Sequence, residues 1–279
     1  MNALPRDQQR LASQRVAGVG RLAVEATGGR TRLWELYQEG AAKIRVPTDD
    51  GTGQQAVLIN TAGGVTGGDR VDWTIEVGPG AALTTTTQAS EKVYRSAYGE
   101  ARIASTIEVG ARGRLSWLPQ ETILYQGAAL SRELSVALSP GAEALLAEAV
   151  VLGRKAHGET VTRARFRDRW RISANGRLVH ADDIALGPDV AAITAAAAGL
   201  AGRTAFATVL LVSEEAEALL EAARGVIGED GGASFWRVGG HGKLLARLVA
   251  ADGHSLRARL GPLLRLLNRG AALPKLWST

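Results

Sequence analysis

The segment of the sequence that could most plainly form a binding site is glycine-rich. It covers Asn60–Arg70 and has a single acid, Asp69, near its end. Its two Gly-Gly pairs, Gly63-Gly64 and Gly67-Gly68, stand close together. Glycine tolerates positive φ and lets a backbone or a ligand approach closely, so the segment suits either a phosphate cradle or a compact turn with a bulge. A P-loop needs a Lys, then Ser or Thr, and then a helix. Here Asp69-Arg70 and an alternating, strand-like run follow, so the sequence favours the structural turn.

The chain offers few of the usual ligands for a tightly held metal ion. It has no Cys, so it has no disulfide framework and no thiolate site. Its four His lack the close spacing of a zinc-binding helix: His157, His180, His241 and His254. A metal would therefore meet chiefly carboxylates, isolated imidazoles, backbone carbonyls or water. Asp182 and Asp183 form an acidic pair, but neighbours in a strand point to opposite faces, so at most one can face a given site.

A net charge of +5 and an isoelectric point near 9.9 permit acidic partners or nucleic acid. The densest basic cluster alternates at period two: Arg163, Arg165, Arg167, Arg169 and Arg171. On a strand these five share one face, and Ala164, Phe166, Asp168 and Trp170 share the other. The pattern is typical of an exposed face beside a buried one, and it also fits a docking surface for an acidic protein. Nucleic-acid binding is the weaker interpretation, because no aromatic stacking surface accompanies the cluster.

The composition is that of a globular chain. Of 279 residues, 46% are hydrophobic and 22% are charged, which allows one large all-β domain or two ordinary domains. No uncharged apolar run is long enough to span a membrane, and the first segment, Met1 to Arg15, is polar and charged. Both features argue against a membrane span or a secretory signal. We therefore expect a cytoplasmic protein.

Strand patterns dominate the first three quarters of the chain, and helix patterns come late. We predict strands over 16–25, 31–37, 41–46, 57–60, 204–212, 235–238 and 243–250, a polar loop at 49–53, a hairpin turn at Asn175-Gly176, and a connection with a short helix over 187–203. A helix should start at Ser213 and end near 225–228, and a second should cover 255–268 and close at Gly270. Its Leu256, Leu260, Leu263, Leu264 and Leu267 have helical spacing.

An internal repeat defines the architecture. Thr74–Gly78 recurs as Thr106–Gly110, and the same offset carries Leu83 onto Leu115 and Gln88 onto Gln120. A weaker third copy aligns 138–142 with 77–81. Such a period is typical of stacked coils that bury each other's apolar faces. We predict one mainly β domain over 1–279: a stacked or β-helical arrangement of strands over about 15–212, with two α-helices in a C-terminal part over about 213–279.

Stacking would align polar ends of successive strands, namely Gln88, then Gln120 and Glu121, then Glu148. Such a row of acceptors could form an ion path or simply a hydrated surface. Lys92 and Arg95 could pair with Asp69 or Glu121, either to hold the fold or to serve a site. A nucleophile built from Thr or Tyr plus Lys lacks an oriented base and oxyanion donors, so nucleophilic catalysis is disfavoured.

Four ordered motifs resemble the urease accessory protein UreD family, called UreH in some bacteria. They are Asn60–Arg70, Thr86–Ser96, Leu118–Ile123 and Leu152–Glu159, and the ending Leu273–Trp277 is also family-like. All four motifs precede Thr160, whereas the part of the chain that follows Leu200 offers little else to match. The resemblance implies a mostly β fold.

The same resemblance implies a non-enzymatic scaffold that passes nickel toward urease in a complex with UreF, the GTPase UreG and apo-urease. No tightly bound cofactor is expected, only transient nickel. A conduit should bind weakly through oxygen ligands, and the candidate path residues are Asp69, Glu121, Glu148 and Glu159. Structural or gating neighbours are Gly63, Gly64, Gly67, Gly68, Lys92, Tyr94, Arg95 and Gln120. We expect Asp69→Ala to leave folding largely intact and to lower the nickel content of urease.

Partner docking is assigned by hypothesis to Arg265, Leu276 and Trp277, because an apolar end with Trp can anchor in a partner's groove.

Two rival functions stay open at this point. A hydrolase or transferase using the glycine-rich loop would show turnover by the isolated chain. A basic β-solenoid that binds nucleic acid or another acidic partner would show steeply salt-dependent affinity.

Overall fold

A computed structural model of the chain describes residues 15–48, 53–269 and 271–277. The predicted loop at 49–53 and the helix end at Gly270 therefore fall wholly or mostly outside the described residues. The strands are β1 Ala17–Thr27, β2 Arg30–Gly40, β3 Ala42–Arg45, β4 Gln54–Asn60, β5 Arg70–Val77, β6 Ala82–Thr87, β7 Glu91–Val93, β8 Ala101–Val109, β9 Arg114–Trp117, β10 Thr122–Leu124, β11 Ala129–Leu138, β12 Glu143–Leu152, β13 Arg165–Ala174, β14 Arg177–Leu186, β15 Ala205–Val212, β16 Gly231–Val238 and β17 His241–Ala250. The helices are α1 Val190–Ala195, α2 Leu220–Ile227 and α3 Gly253–Leu267, with 3₁₀ turns at Lys155–His157, Ala216–Leu219, Gly228–Asp230 and Lys275–Trp277.

Two sheets face each other. Within each sheet, the central strands are parallel to their neighbours. The first has the order β14-β13-β11-β8-β5-β1-β2, and the second has the order β16-β17-β15-β12-β9-β6-β4-β3. Short strands β7 and β10 pair with each other, and β10 also pairs with the end of β12. The chain thus coils through β5-β6-β7 and β8-β9-β10 before β11 and β12, and antiparallel strands flank the stack. The predicted mainly β, stacked fold is confirmed.

The strand register confirms the internal repeat. Thr74 lies opposite Thr106, and Leu83 lies opposite Leu115, both at the offset that the sequence repeat predicts. Leu138 in turn lies opposite Val109, which places the weaker third copy in the same column. Gly80 and Gly141, at equivalent corners, have φ of 68° and 70°, in the left-handed region that glycine adopts most readily.

Alternating side chains build the core between the sheets. One ladder of directly opposed residues crosses five neighbouring strands of the first sheet, and each member is at most 2% exposed: Leu22, Ile75, Ile107, Val136 and Ile172. Burying each such side chain contributes roughly 1.5–3 kcal/mol. A second apolar cluster lies on the outer side of the second sheet, where α2 and α3 cover it.

The C-terminal helices follow the predicted pattern with shifted starts. Helix α3 begins at Gly253, ahead of the predicted start at Ser255, because the Asp252 side chain accepts a hydrogen bond from the Ser255 N–H at 2.8 Å and caps the helix. All of its predicted apolar residues are buried. The segment after Ser213 forms a 3₁₀ turn before α2, which ends at Ile227 as expected. The short helix predicted in the 187–203 connection is α1.

The arginine row and the hairpin also lie as predicted. In β13 the arginines face outward, while Phe166, Asp168 and Trp170 are buried. Arg167 and Arg169 pair with Asp183 or Glu133, so neighbouring acids partly neutralise this face. Asn175 and Gly176 form the β13–β14 turn with φ of 51° and 75°.

Candidate carboxylate sites

The glycine-rich loop packs against the segment that carries Lys92, Tyr94 and Arg95. The N–H of Val65 donates to the Lys92 carbonyl at 2.8 Å, and the Tyr94 N–H donates back to the Val65 carbonyl at 2.8 Å. The Thr66 hydroxyl donates to the Arg95 carbonyl at 2.9 Å. The loop is therefore a compact structural turn, as its sequence predicts.

Two of the four loop glycines make this packing possible. Gly64 has φ of 146°, and a Cβ there would meet the Lys92 carbonyl at 2.6 Å and the ring of Tyr94. A Cβ on Gly67 would overlap the Ser96 hydroxyl. Gly63 and Gly68 have φ of 73° and 92° and are required by conformation more than by space.

Asp69 acts as a buried cap for two backbone segments. It is 4% exposed, and its oxygens accept hydrogen bonds from the N–H groups of Val16 at 2.9 Å and Thr66 at 2.8 Å. Lys92 and Arg95 do not supply the ion pair that the sequence suggested for Asp69. That expectation is wrong, because backbone donors already fill the carboxylate and Lys92 and Arg95 contact the loop through their carbonyls.

Glu91, which was not among the residues predicted from the sequence, lies beside Asp69. Both of its carboxylate oxygens accept from the Asn60 amide, at 3.1 and 3.3 Å. Burial raises the pKa of Glu91 to about 7; the Asn60 hydrogen bond lowers it and the negative charge of Asp69 raises it further.

Glu121 faces Arg257 of helix α3. The Arg257 guanidinium donates to Glu121 Oε1 at 2.9 Å and to the Gln120 side-chain oxygen at 2.9 Å. The Ser90 hydroxyl donates to the other Glu121 oxygen at 3.3 Å. Arg257 therefore takes the place that the sequence gave to Lys92 or Arg95, and that second expected pairing is also wrong.

Glu148 belongs to a buried ionic triad inside the stack. Its partner Arg132 donates to Glu148 Oε2 at 2.5 Å and to both oxygens of Asp168 at 3.1 and 2.6 Å. Thr122 accepts a further hydrogen bond from Arg132 at 2.9 Å, and the Trp117 indole N–H donates to Glu148 Oε1 at 3.0 Å. Two carboxylates thus share one guanidinium.

Burial and the two carboxylates set the titration of this triad. Burial raises the pKa of Glu148 to about 7, against the lowering effect of Arg132 and with a further increase from the charge of Asp168. Burial by itself lowers the pKa of Arg132, but the attraction of Asp168 and Glu148 outweighs it and the pKa rises. Arg132 therefore stays charged, and the pKa of Glu148 lies above that of a free carboxyl.

Glu159 lies nearer the surface. It accepts from the Arg154 side chain at 2.8 Å and from the Gln126 N–H at 3.1 Å. The Arg154 hydrogen bond lowers the pKa of Glu159 against a smaller effect of burial. Arg154 also stacks 4.5 Å from the Tyr125 ring, which meets Tyr94 edge-on at 5.2 Å.

The register brings some of these groups together and leaves another apart. Glu91 lies opposite Thr122 across the β7–β10 pair, and Thr122 lies opposite Val150, which follows Glu148 on β12. Glu91 and Glu148 therefore lie on β7 and β12, and Glu121 directly precedes β10 between them, with Asp69 next to Glu91, whereas Glu159 sits beyond the end of β12. Within the described ranges no group of three or more His, Asp or Glu side chains is placed to hold a metal ion.

The roles of Arg132, Asp168 and Arg257 were not predicted from the sequence. Arg132 and Asp168 occupy inward positions of β11 and β13, between buried apolar neighbours. In a strand whose alternate residues are apolar and buried, a charged residue at one of these buried positions predicts a buried ion pair. Arg257 offered no such signal, since its helix position alone does not place it against Glu121.

The C-terminal tail is folded onto the chain. Trp277 is 5% exposed, its indole N–H donates to the Leu118 carbonyl at 3.0 Å, and Arg257 lies 4.9 Å from its ring. The Leu276 carbonyl accepts from Arg257 at 2.7 Å. The prediction that Trp277 anchors in a partner's groove is therefore wrong, because its ring is buried within its own chain. Arg265 is exposed on α3.

None of the helices in the described part of the chain has both the length and the hydrophobicity of a membrane span.

Residues 16–278 match the family described as UreD urease accessory protein. The chain is 53% identical over 266 residues to the urease accessory protein UreD of Mesorhizobium japonicum, covering 95% of each chain. It is 53% identical over 272 residues to urease accessory protein UreD 1 of Brucella anthropi, covering 96% of each.

Proposed function

The chain belongs to the UreD family of urease accessory proteins, and on that premise we propose that it serves as a non-enzymatic, cytoplasmic scaffold that passes nickel toward apo-urease. In this proposal it works in a complex with UreF and, through UreF, with the GTPase UreG. The partners and the cargo come from the family resemblance. The structural support for the proposal is a set of carboxylate side chains on or beside neighbouring strands.

The observation that best supports a path is the placement of Glu91, Glu121 and Glu148 on β7, on the turn before β10 and on β12. Nickel accepts carboxylate oxygen, and sites of one carboxylate each would hold it briefly. In the absence of the ion, Arg257 neutralises Glu121 and Arg132 neutralises Glu148. At Glu121 and Glu148 an arriving dication has to compete with a guanidinium, which shortens its residence.

Protons provide a second competitor. A carboxyl must be deprotonated to bind a metal ion, and the pKa of both Glu91 and Glu148 is raised to about 7. The proposal therefore expects nickel delivery to increase as the pH rises through neutrality.

The test is coexpression of Glu121→Gln and Glu148→Gln variants with urease, UreF and UreG, followed by measurement of nickel in purified urease. Glutamine keeps the side-chain shape and one acceptor oxygen. Glu133→Gln is the matched control, because Glu133 pairs with Arg169 on the outer face. We expect several-fold less nickel for the path variants, with complex formation intact. Full nickel content in both path variants would reject the path.

Asp69 is a poor first target, contrary to the expectation from sequence. Asp69→Ala leaves the half-buried N–H groups of Val16 and Thr66 without this acceptor, and the cost approaches about 1–3 kcal/mol each where water cannot replace it. Asp69→Asn keeps one acceptor oxygen but sets its NH2 group against the other backbone N–H, so the stability of this variant has to be measured beside nickel transfer.

Partner docking through Arg265 and Leu276 stays a proposal. Arg265→Glu changes an exposed charge without touching the core, so loss of UreF from a pull-down would report docking. Deletion of residues 271–279 removes Trp277 as well, so its effect has to be compared with that of Trp277→Phe, which keeps an aromatic ring in the core. Retention of UreF by both Arg265→Glu and the deletion would reject this interface.

A further inference from the structure

Strand β2 is the outer strand of the first sheet. It pairs with β1 along its length except at a bulge at Trp34, and no described strand pairs with its other edge. The bulge puts Leu33 and Leu36 on the same face of the sheet. It has 11 residues, all of them exposed except Thr31. An edge strand of this length presents a row of backbone donors and acceptors that another strand can use.

The exposed side chains of β2 are unusually apolar. Trp34 is 71% exposed, and three further large apolar side chains on this strand are 40–43% exposed: Leu33, Leu36 and Tyr37. Natural edge strands are normally kept short or protected by charge or proline, so a long apolar edge indicates a surface that pairs with another chain.

The rest of the fold holds β2 in place. Leu33 and Leu36 lie opposite the buried Val24 and Leu22 of β1, on the inner face of the sheet. On either side of them, Thr31 accepts from the Ala82 N–H at 2.9 Å and Gln38 accepts from the Ile44 N–H at 2.9 Å. The strand is therefore ordered before any partner binds, which reduces the entropy lost on pairing.

The order of charges along β2 indicates what kind of strand can pair with its free edge. Its N-terminal end is basic, with Arg30 and Arg32, and its C-terminal end is acidic, with Glu35 and Glu39. Arg30 and Glu39 are equally distant from the midpoint between Trp34 and Glu35, and so are Leu33 and Leu36. One antiparallel register therefore sets arginine against glutamate and leucine against leucine, which makes the strand complementary to itself.

We propose that β2 pairs edge to edge with β2 of a second copy of this chain, about a two-fold axis between Trp34 and Glu35. Each Arg30 then meets Glu39 of the other copy on the outer face, and each Leu33 meets Leu36 of the other copy on the inner face. The two first sheets join into one continuous sheet. The proposal is independent of nickel and of the urease partners.

The test is charge reversal, followed by sedimentation equilibrium of the full chain over a wide concentration range. Arg30→Glu alone sets like charges opposite at both ends of the pair, and so does Glu39→Arg alone. Each should weaken dimerisation about tenfold, because two symmetric contacts change from attraction to repulsion. The double variant, and an equimolar mixture of the two single variants, should both recover dimers. Arg265→Glu, far from β2 in sequence, should leave the dimer unchanged.

Three outcomes would overturn the proposal. The wild-type chain could stay monomeric throughout the concentration range. It could dimerise with no response to either charge reversal, which would place the dimer contact elsewhere. It could also dimerise only after removal of residues 1–14, which would show that this segment covers the edge in the full chain. Leu36→Lys provides an independent check and should abolish the dimer while far-UV circular dichroism stays unchanged.

Discussion

Replacement of Arg132 by methionine tests the reasoning about the buried triad most directly. Methionine fills a similar length without charge, so the change removes the guanidinium while Glu148 and Asp168 remain inside the stack. The side chains of all three residues are at most 7% exposed, so water cannot take over the lost contacts without opening the fold.

Removing one partner of a buried ion pair costs about 3–5 kcal/mol, because the other charge is left uncompensated. Here two carboxylates lose a common partner, and Thr122 loses a donor. We therefore expect a loss near the upper end of that range, a large fraction of the ~5–15 kcal/mol that stabilises a typical domain. Arg169→Met is the matched control: Arg169 pairs with Glu133 and Asp183 on the outer face, where ion pairs contribute about 0–1 kcal/mol.

The loss should depend on pH with a defined sign. The folded-state pKa of Glu148 is raised from 4.5 to about 7, so the folded state binds the extra proton between these values and stability from this group falls as the pH rises through them. Without Arg132 its charge no longer lowers this pKa, and the pKa rises further. The penalty of Arg132→Met should therefore be smaller at about pH 5.5 than at about pH 8.

Equilibrium urea unfolding, followed by far-UV circular dichroism at both pH values, measures these differences. The triple variant with Glu148→Gln and Asp168→Asn should recover most of the loss at the higher pH, because no buried charge remains. A loss below about 1 kcal/mol at pH 8, or an equal loss at both pH values, would refute the account of the triad.

Three further predictions concern the loop, a buried histidine and the tail. Gly64→Ala should destabilise the chain by about 1–3 kcal/mol more than Gly63→Ala, because the Gly64 Cβ would meet the Lys92 backbone carbonyl at 2.6 Å, whereas Gly63 has open space; thermal unfolding of the pair measures the difference. Burial and the nearby Lys243 charge lower the pKa of His180 from 6.5 to about 4, so stability from His180 is lost as the pH falls below 6.5, and His180→Leu should reduce the acid-induced shift of the urea midpoint. Trp277→Ala should cost about 3–5 kcal/mol in urea unfolding, and a cost below about 1 kcal/mol would contradict its burial in the core.

Local patterns in the sequence were sufficient for the architecture. The repeat that relates Thr74 to Thr106 corresponds to a strand pairing, and the alternation around Arg167 corresponds to one outer and one buried face. The loop glycines form the turn that their spacing indicates. These features are predictable because strand periodicity and positive φ are properties of short segments.

The sequence by itself determined a stack of glycine-cornered coils, with acids at the ends of neighbouring strands. Only the tertiary structure decided which cation meets each acid. Glu121 pairs with Arg257, which is distant along the chain, and Asp69 binds backbone N–H groups instead of a side-chain cation. The inward packing of Trp277 against the Leu118 carbonyl was likewise decided by the tertiary structure. Contacts over such separations depend on how the helices and the tail close over the second sheet, and no periodic pattern encodes that closure.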